Sequence, residues 1–180
     1  MKKDKKNLLD TKAREMGSFD PFAYQNLFYE HELEITDAEV NQVLLLVKEI
    51  HNTHHNTTYD NLNVLNFPAL KNLKEQILVI LDGYKLQLRN NWAQFYNNGD
   101  SHGLHTHPSS MYSGVIYLHG NNPTPTIFYD MVFNTYIHEF KKNTLLMFPS
   151  HVPHEVKKLN KVEDRLVISF NTWRGDNPRD

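Results

Sequence analysis

From residue 86 onward the chain consists of short runs rich in aromatic and β-branched residues, separated by Gly, Pro and Asn breaks. The runs are Leu88–Asn97, Met111–His119, Thr126–Tyr129, Asn134–Glu139, Thr144–Phe148, His154–Lys158 and Leu166–Trp173. Branched and aromatic side chains suit a pleated, half-buried surface, and the breaking residues supply turns. So many short strands with turn signals between them predict an antiparallel sandwich, barrel or jelly roll across residues 86–173.

The preceding segment has a different period. Thr36-Asp-Ala-Glu39 has the form of a capping box, in which the Thr hydroxyl and the Glu carboxylate satisfy each other's backbone amides. Val40, Val43, Leu44, Val47 and Ile50 follow at helical spacing. A second helix is predicted to begin near Asn66 with Pro68 in its first turn, burying Leu70, Leu73, Ile77, Ile80 and Tyr84. Residues 36–84 thus form a helical layer expected to pack on one sheet, and the fold class is α+β, mainly β.

Composition bounds the rest. A chain of 180 residues fits one domain, residues 1–180, with enough length to bury a core. The net charge of -2 lacks the electrostatic footprint of nucleic-acid binding. Cysteine is absent, which removes disulfides, thiolate metal sites and cysteine nucleophiles and suits a reducing cytoplasm, the expected location. No apolar run approaches bilayer-spanning length. Residues 1–17, with a basic opening and no apolar stretch behind it, read as a loose tail rather than a secretory signal. No Ser-His-Asp set, phosphate-binding glycine loop or paired-carboxylate motif stands out, so the hydrolase classes lose support.

Eleven histidines is the unusual count, and three of them are placed to act together. His105-Thr-His107 stands just before a predicted strand, where residues i and i+2 share a face and both imidazoles can reach one ion. His154 opens another predicted strand after Phe148-Pro-Ser. Two ligands at i and i+2 with a third from a distant strand make a facial triad that leaves octahedral positions open. An all-nitrogen set suits Fe(II), with Mn, Co, Ni or Zn able to substitute. His51, His54 and His55 could form a second cluster if helix continued through them, but their Asn- and Thr-rich surroundings favour a loop. His102 is expected at the pocket mouth, whereas His119 and His138 read as structural.

Three segments carry a more specific signal. His105-Thr-His-Pro-Ser-Ser-Met-Tyr-Ser-Gly-Val-Ile-Tyr-Leu118, Leu146-Met-Phe-Pro-Ser-His-Val-Pro-His-Glu-Val156 and Arg165-Leu-Val-Ile-Ser-Phe-Asn171 resemble, in order and spacing, the signature segments of a family of 2-oxoglutarate/Fe(II) oxygenases of bacteria and marine phages. The resemblance covers roughly residues 90–173 and implies a double-stranded β-helix. It implies Fe(II) on His105, His107 and His154, with 2-oxoglutarate and dioxygen as co-substrates. Arg165 would pair with the 5-carboxylate of 2-oxoglutarate, where a guanidinium offers two parallel donors. Ser169, four residues along the same strand face, would donate to that carboxylate as well. Tyr117 and Tyr96 resemble the pocket tyrosines of related prolyl hydroxylases.

Two departures from that family matter. His107 stands where most such oxygenases carry Asp or Glu, leaving the site one unit more positive, which a dianionic co-substrate would offset. Asp100, Asp130 or Glu155 are the carboxylates that would have to enter the shell instead. His151 replaces a common Trp and is expected to shape the pocket mouth.

The implied activity is oxidative decarboxylation of 2-oxoglutarate to succinate, coupled to oxidation of a C–H bond on a protein side chain, nucleobase or small metabolite. A cupin-type three-histidine dioxygenase is the alternative, supported by Gly99, the His105–His107 pair, Pro149 and His154, but the cupin glutamate is missing at Met111 or Tyr112. A metal-stabilised binding module without turnover would use the same ligands. Exposed strand edges leave a homodimer open.

Overall fold

The computed structural model describes residues 27–50, 57–58, 63–97, 99–121, 124–130, 134–159 and 164–174. The expected tail at residues 1–17 and the His51, His54 and His55 cluster lie outside the described residues. Strand β1 (Tyr29–Glu32) leads into helix α1 (Asp37–Ile50). Two 3-10 turns, Val64–Asn66 and Pro68–Leu70, precede helix α2 (Lys71–Gly83). Eight further strands follow: β2 (Leu86–Asn97), β3 (His102–His105), β4 (Tyr112–Asn121), β5 (Thr126–Tyr129), β6 (Thr135–His138), β7 (Thr144–Pro149), β8 (His154–Val156) and β9 (Asp164–Arg174).

Helix α1 starts where the capping box places it. Glu39 N–H donates to Thr36 Oγ1 at 3.2 Å, and Glu39 Oε2 accepts from Thr36 N–H at 2.8 Å. The start of α2 differs from expectation. Phe67, preceding Pro68, is extended at φ -68° and ψ 134°, as the proline ring demands of its neighbour, so no continuous helix can run from Asn66 through it. Regular helix begins only at Lys71, and its buried stripe is Leu73, Ile77 and Leu81. Tyr84 lies past the helix end and is exposed, its ring packed at a tilt against Tyr29 instead of entering the core.

The strands form two antiparallel sheets, ordered β1-β7-β4-β9-β2 and β3-β8-β5-β6. They face each other as a double-stranded β-helix, with the helices packed on the outer face of the five-stranded sheet. Alternation along each strand divides the core in two. On β9, Leu166, Ile168 and Phe170 join Val43, Val47, Leu73, Ile77 and Leu81 beneath the helices. Each such fully buried aliphatic side chain contributes about 1.5–3 kcal/mol. The opposite face of β9 turns Arg165, Val167 and Ser169 toward the space between the sheets, beside Phe128, Leu146 and Phe148.

Two glycines have a steric explanation. Gly99 lies at φ +93° in the turn that carries the chain from β2 in one sheet to β3 in the other. That turn is closed by Asp100 N–H donating to Asn97 O at 2.9 Å. Gly114 lies opposite Phe170, whose ring occupies the place of a side chain there: a Cβ would meet Phe170 Cζ at 2.2 Å. Among the described residues no helix is long and apolar enough to cross a membrane.

Candidate metal centre

His105 ends β3 and His154 begins β8, and the antiparallel register sets them directly opposite each other. Their ring centroids are 4.2 Å apart. His107 lies just beyond β3, with its N–H donating to Ser150 O at 2.8 Å. One ligating nitrogen from each of these three histidines lies within 4.8 Å of the other two, a separation one ion can bridge. They are the group of this kind found among the described residues.

The donor chemistry fits a divalent metal. The Nδ1 atoms of His105 and His154 lie 2.8 Å from Gly103 O and 3.0 Å from Val152 O. A carbonyl only accepts, so each Nδ1 carries the proton and each Nε2 keeps its lone pair for a metal. Burial, reinforced by repulsion from neighbouring imidazoles, lowers His154 to about 3 and His107 to about 4. His105 is lowered too, chiefly by burial. Neutral imidazoles at neutral pH are what coordination requires. Phe148 and Phe128 enclose His154, and Trp92 lies against His107.

Hydrogen bonds tie the three sequence segments together. Ser113 Oγ donates to Asn171 Oδ1 at 2.8 Å and lies 3.0 Å from Ser150 Oγ. Ser150 N–H in turn donates to Met111 O at 3.1 Å. These residues sit within the resembling segments without any expected role, and their work is to fix the loop that carries His107.

The three carboxylates considered as ligands are used elsewhere. Asp100 accepts from Asn97 N–H and Asp130 from Asn134 N–H. Glu155 follows His154 on its strand and bonds Tyr129 and Lys157. His151 is exposed and forms no part of the cavity wall. His119 pairs with Asp164 at 3.6 Å, and buried His138 lies 3.1 Å from Glu30 and stacks on Tyr117.

From the three histidines a narrow cavity runs between the sheets to Arg165. Arg165 is only 2% exposed. Its Nη1 donates to Thr124 O at 2.9 Å and its Nη2 to Thr126 Oγ1 at 2.7 Å, while Nε is buried with no partner among the described residues. The rings of Tyr96 and Tyr117 flank it, 5.6 and 5.4 Å from Cζ. No Asp or Glu among the described residues forms an ion pair with it, and none lines the cavity. A buried charge with no counter-charge is costly, so this end of the cavity suits an anion.

The other expected pocket residues are all on the wall or behind it. Tyr117 OH lies 3.2 Å from Thr126 Oγ1, and Tyr96 OH lies 3.1 Å from His102 Nδ1. Burial pushes the Tyr96 phenol up to about 12 and raises that of Tyr117, so both stay protonated. Ser169 lines the cavity, but the four residues separating it from Arg165 span about 13 Å of strand. Its cross-strand neighbour is Trp92, toward the histidine end, and Thr126 is the hydroxyl that touches Arg165. Thr126 escaped the sequence reading because it belongs to the opposite sheet and to none of the three segments.

No protein-family profile and no curated protein sequence matches the chain. Solved structures do. A prolyl-4-hydroxylase from Pseudomonas putida is 18% identical, with a TM-score of 0.55 over 82% of this chain and 88% of its own. The viral collagen prolyl hydroxylase vCPH of Paramecium Bursaria Chlorella virus-1, in complex with 2-oxoglutarate, is 10% identical, with a TM-score of 0.59 over 82% of this chain and 96% of its own. HygX from Streptomyces hygroscopicus with iron bound is 10% identical, with a TM-score of 0.61 over 83% of each chain. The chain therefore shares the fold found in 2-oxoglutarate/Fe(II) oxygenases.

Proposed function

We propose that this protein is a 2-oxoglutarate-dependent Fe(II) dioxygenase, a hydroxylase of the bacterial and phage family that its three segments resemble. The observation that carries the reading is Arg165, a buried guanidinium with no carboxylate partner among the described residues, facing the cavity that the three histidines head. A cavity with metal ligands at one end and an unneutralised cation at the other suits a short dicarboxylate. The vCPH structure holds 2-oxoglutarate and the HygX structure holds iron, on the same fold.

His105, His107 and His154 would hold Fe(II), each presenting a neutral nitrogen. When bound, iron supplies the oxidation: decarboxylation of 2-oxoglutarate to succinate and carbon dioxide, with one atom of dioxygen entering the succinate and the other a substrate C–H bond. Arg165 orients the co-substrate by its distal carboxylate, and Thr126 and Tyr117 hold the guanidinium in place. Ser169 and Trp92 line the wall beside the metal end. Phe128, Phe148 and Val156 keep the interior dry, which strengthens each of these electrostatic contacts.

The test is an anaerobic titration of the Fe(II)-loaded protein with 2-oxoglutarate, followed through the visible charge-transfer band of the chelate. A saturable band that vanishes in His154→Ala and weakens in Arg165→Ala is expected. Tight iron binding with no band would favour the cupin-type chemistry that uses no 2-oxoglutarate.

A further inference from the structure

A regular β3 would not place His102, expected only at the pocket mouth, against His105. In a regular strand, residues three apart point to opposite faces, so His102 would turn its ring away from His105. Strand β3 is not regular. Its pairing with β8 shifts between His102 and His105, with His102 opposite Val156 and His105 opposite His154. Such irregularities re-aim side chains and are common beside active sites. Here the result is that both imidazoles lie on the cavity side, stacked with centroids 4.1 Å apart and planes within 22°.

His102 then forms the middle of a continuous wall. On one side its ring covers His105. On the other its Nδ1 meets Tyr96 OH at 3.1 Å, and the Tyr96 ring flanks Arg165. His102 thus lies between the metal end of the cavity and the guanidinium end, beside the length that a bound dicarboxylate would span. It does not belong to the group of nitrogens that can converge on one ion. A phenol O–H is a stronger donor than an imidazole N–H, and a bare imidazole nitrogen is a stronger acceptor than a phenol oxygen, so Tyr96 donates to Nδ1 and the imidazole proton resides on Nε2, the tautomer that offers a donor to an anion. Among the described residues Nε2 has no protein partner.

We propose that His102 is the side chain that hydrogen-bonds the co-substrate between the metal and Arg165, and that Tyr96 acts through it as a positioning residue. This rests on the site being a 2-oxoglutarate site. It changes the part expected of Tyr96, whose hydroxyl is already engaged by His102 and is not free to meet the co-substrate itself.

The experiment measures Fe(II) affinity and 2-oxoglutarate affinity separately, without turnover, by anaerobic titration of full-length wild type, His102→Phe, His102→Gln, Tyr96→Phe and the His102→Phe/Tyr96→Phe double variant. Phenylalanine keeps the stacking on His105 and removes the donor, whereas glutamine keeps a donor. Loss of one hydrogen bond to a charged group predicts about a tenfold weaker 2-oxoglutarate complex in His102→Phe. Fe(II) affinity should stay unchanged, which also reports a folded site. His102→Gln should hold within about threefold of wild type, and Tyr96→Phe should add nothing once His102 is Phe.

Wild-type affinity in His102→Phe together with a weakened Tyr96→Phe would overturn the proposal in favour of direct contact by the phenol. Loss of Fe(II) in His102→Phe to the extent seen in His105→Ala would make His102 a ligand and overturn it too. A wild type that binds Fe(II) but no 2-oxoglutarate would remove the reading of the site itself, and this proposal with it.

Discussion

His105 and His154 are cross-strand partners: the last residue of β3 faces the first residue of β8, with ring centroids 4.2 Å apart. Two imidazoles at the paired ends of two strands, each with Nδ1 tied to a backbone carbonyl two residues upstream, need little rearrangement to share an ion. His107 completes the set from a loop that Ser150 anchors.

Removing any one of the three should therefore cost most of the iron affinity. His105→Ala, His107→Ala and His154→Ala are each expected to weaken Fe(II) binding by at least ~100-fold, beyond what loss of a supporting residue around a metal typically does. Equilibrium dialysis under argon measures this. A variant that retains wild-type affinity would remove that histidine from the ligand set.

Arg165 separates a binding role from a structural one. If the guanidinium awaits an anion, Arg165→Met relieves a buried unpaired charge and should cost the metal-free protein no more than about 1 kcal/mol. The same change should weaken 2-oxoglutarate by ~100-fold through loss of two charge-assisted hydrogen bonds. Urea denaturation and ligand titration give the two numbers. A loss of about 3–5 kcal/mol, as for a broken buried ion pair, would identify Arg165 as a structural residue instead.

The metal-free protein should be acid-sensitive in a defined window. A histidine in the unfolded chain titrates near ~6.5, whereas the fold lowers His154 to about 3 and His107 to about 4. Between those values the unfolded chain binds protons that the folded chain does not. Stability is therefore fully present above pH ~6.5 and is lost progressively as pH falls through the window. Urea midpoints measured from pH 7.5 to 4.5 should show this, with a shallower slope in His154→Gln. Equal slopes in the two proteins would contradict it.

Gly114→Ala tests the close packing of β4 on β9. The added methyl would lie 2.2 Å from Phe170 Cζ, and the ring cannot withdraw without disturbing the core beneath the helices. Overpacking of this kind costs about 1–3 kcal/mol. Phe170→Leu in the same chain should recover part of the loss, and thermal melts of the two variants check the pair. A Gly114→Ala protein as stable as wild type would show that the ring moves freely.

Seven strands were legible in the sequence, the five inside the sheets and the edge strands β2 and β6, because they are long or rich in branched and aromatic side chains. Thr126–Tyr129 has the expected bounds, and the other six predicted strands were found with shifts at their ends. The two strands that went unread, Tyr29–Glu32 and His102–His105, both lie at sheet edges. Tyr-Glu-His-Glu and His-Gly-Leu-His carry too few branched or aromatic residues to signal a strand, since an edge can be half solvated. The three histidines were legible through spacing and resemblance together. His102 was legible as a residue of the pocket mouth, but its stacking on His105 was not, because a strict two-residue period turns the two rings apart and only the irregular pairing of β3 brings them together. Nor can spacing along a chain show that a buried arginine meets no counter-charge among the described residues, since that depends on what the opposite sheet presents: here Thr126, a hydroxyl.

The most direct measurement is anomalous diffraction at the iron edge from crystals grown anaerobically with Fe(II) and 2-oxoglutarate. One iron peak bounded by His105, His107 and His154 is expected, with the dicarboxylate running from it to Arg165. Iron at another position, or iron at the three histidines with Arg165 facing no ligand, would contradict the proposed chemistry.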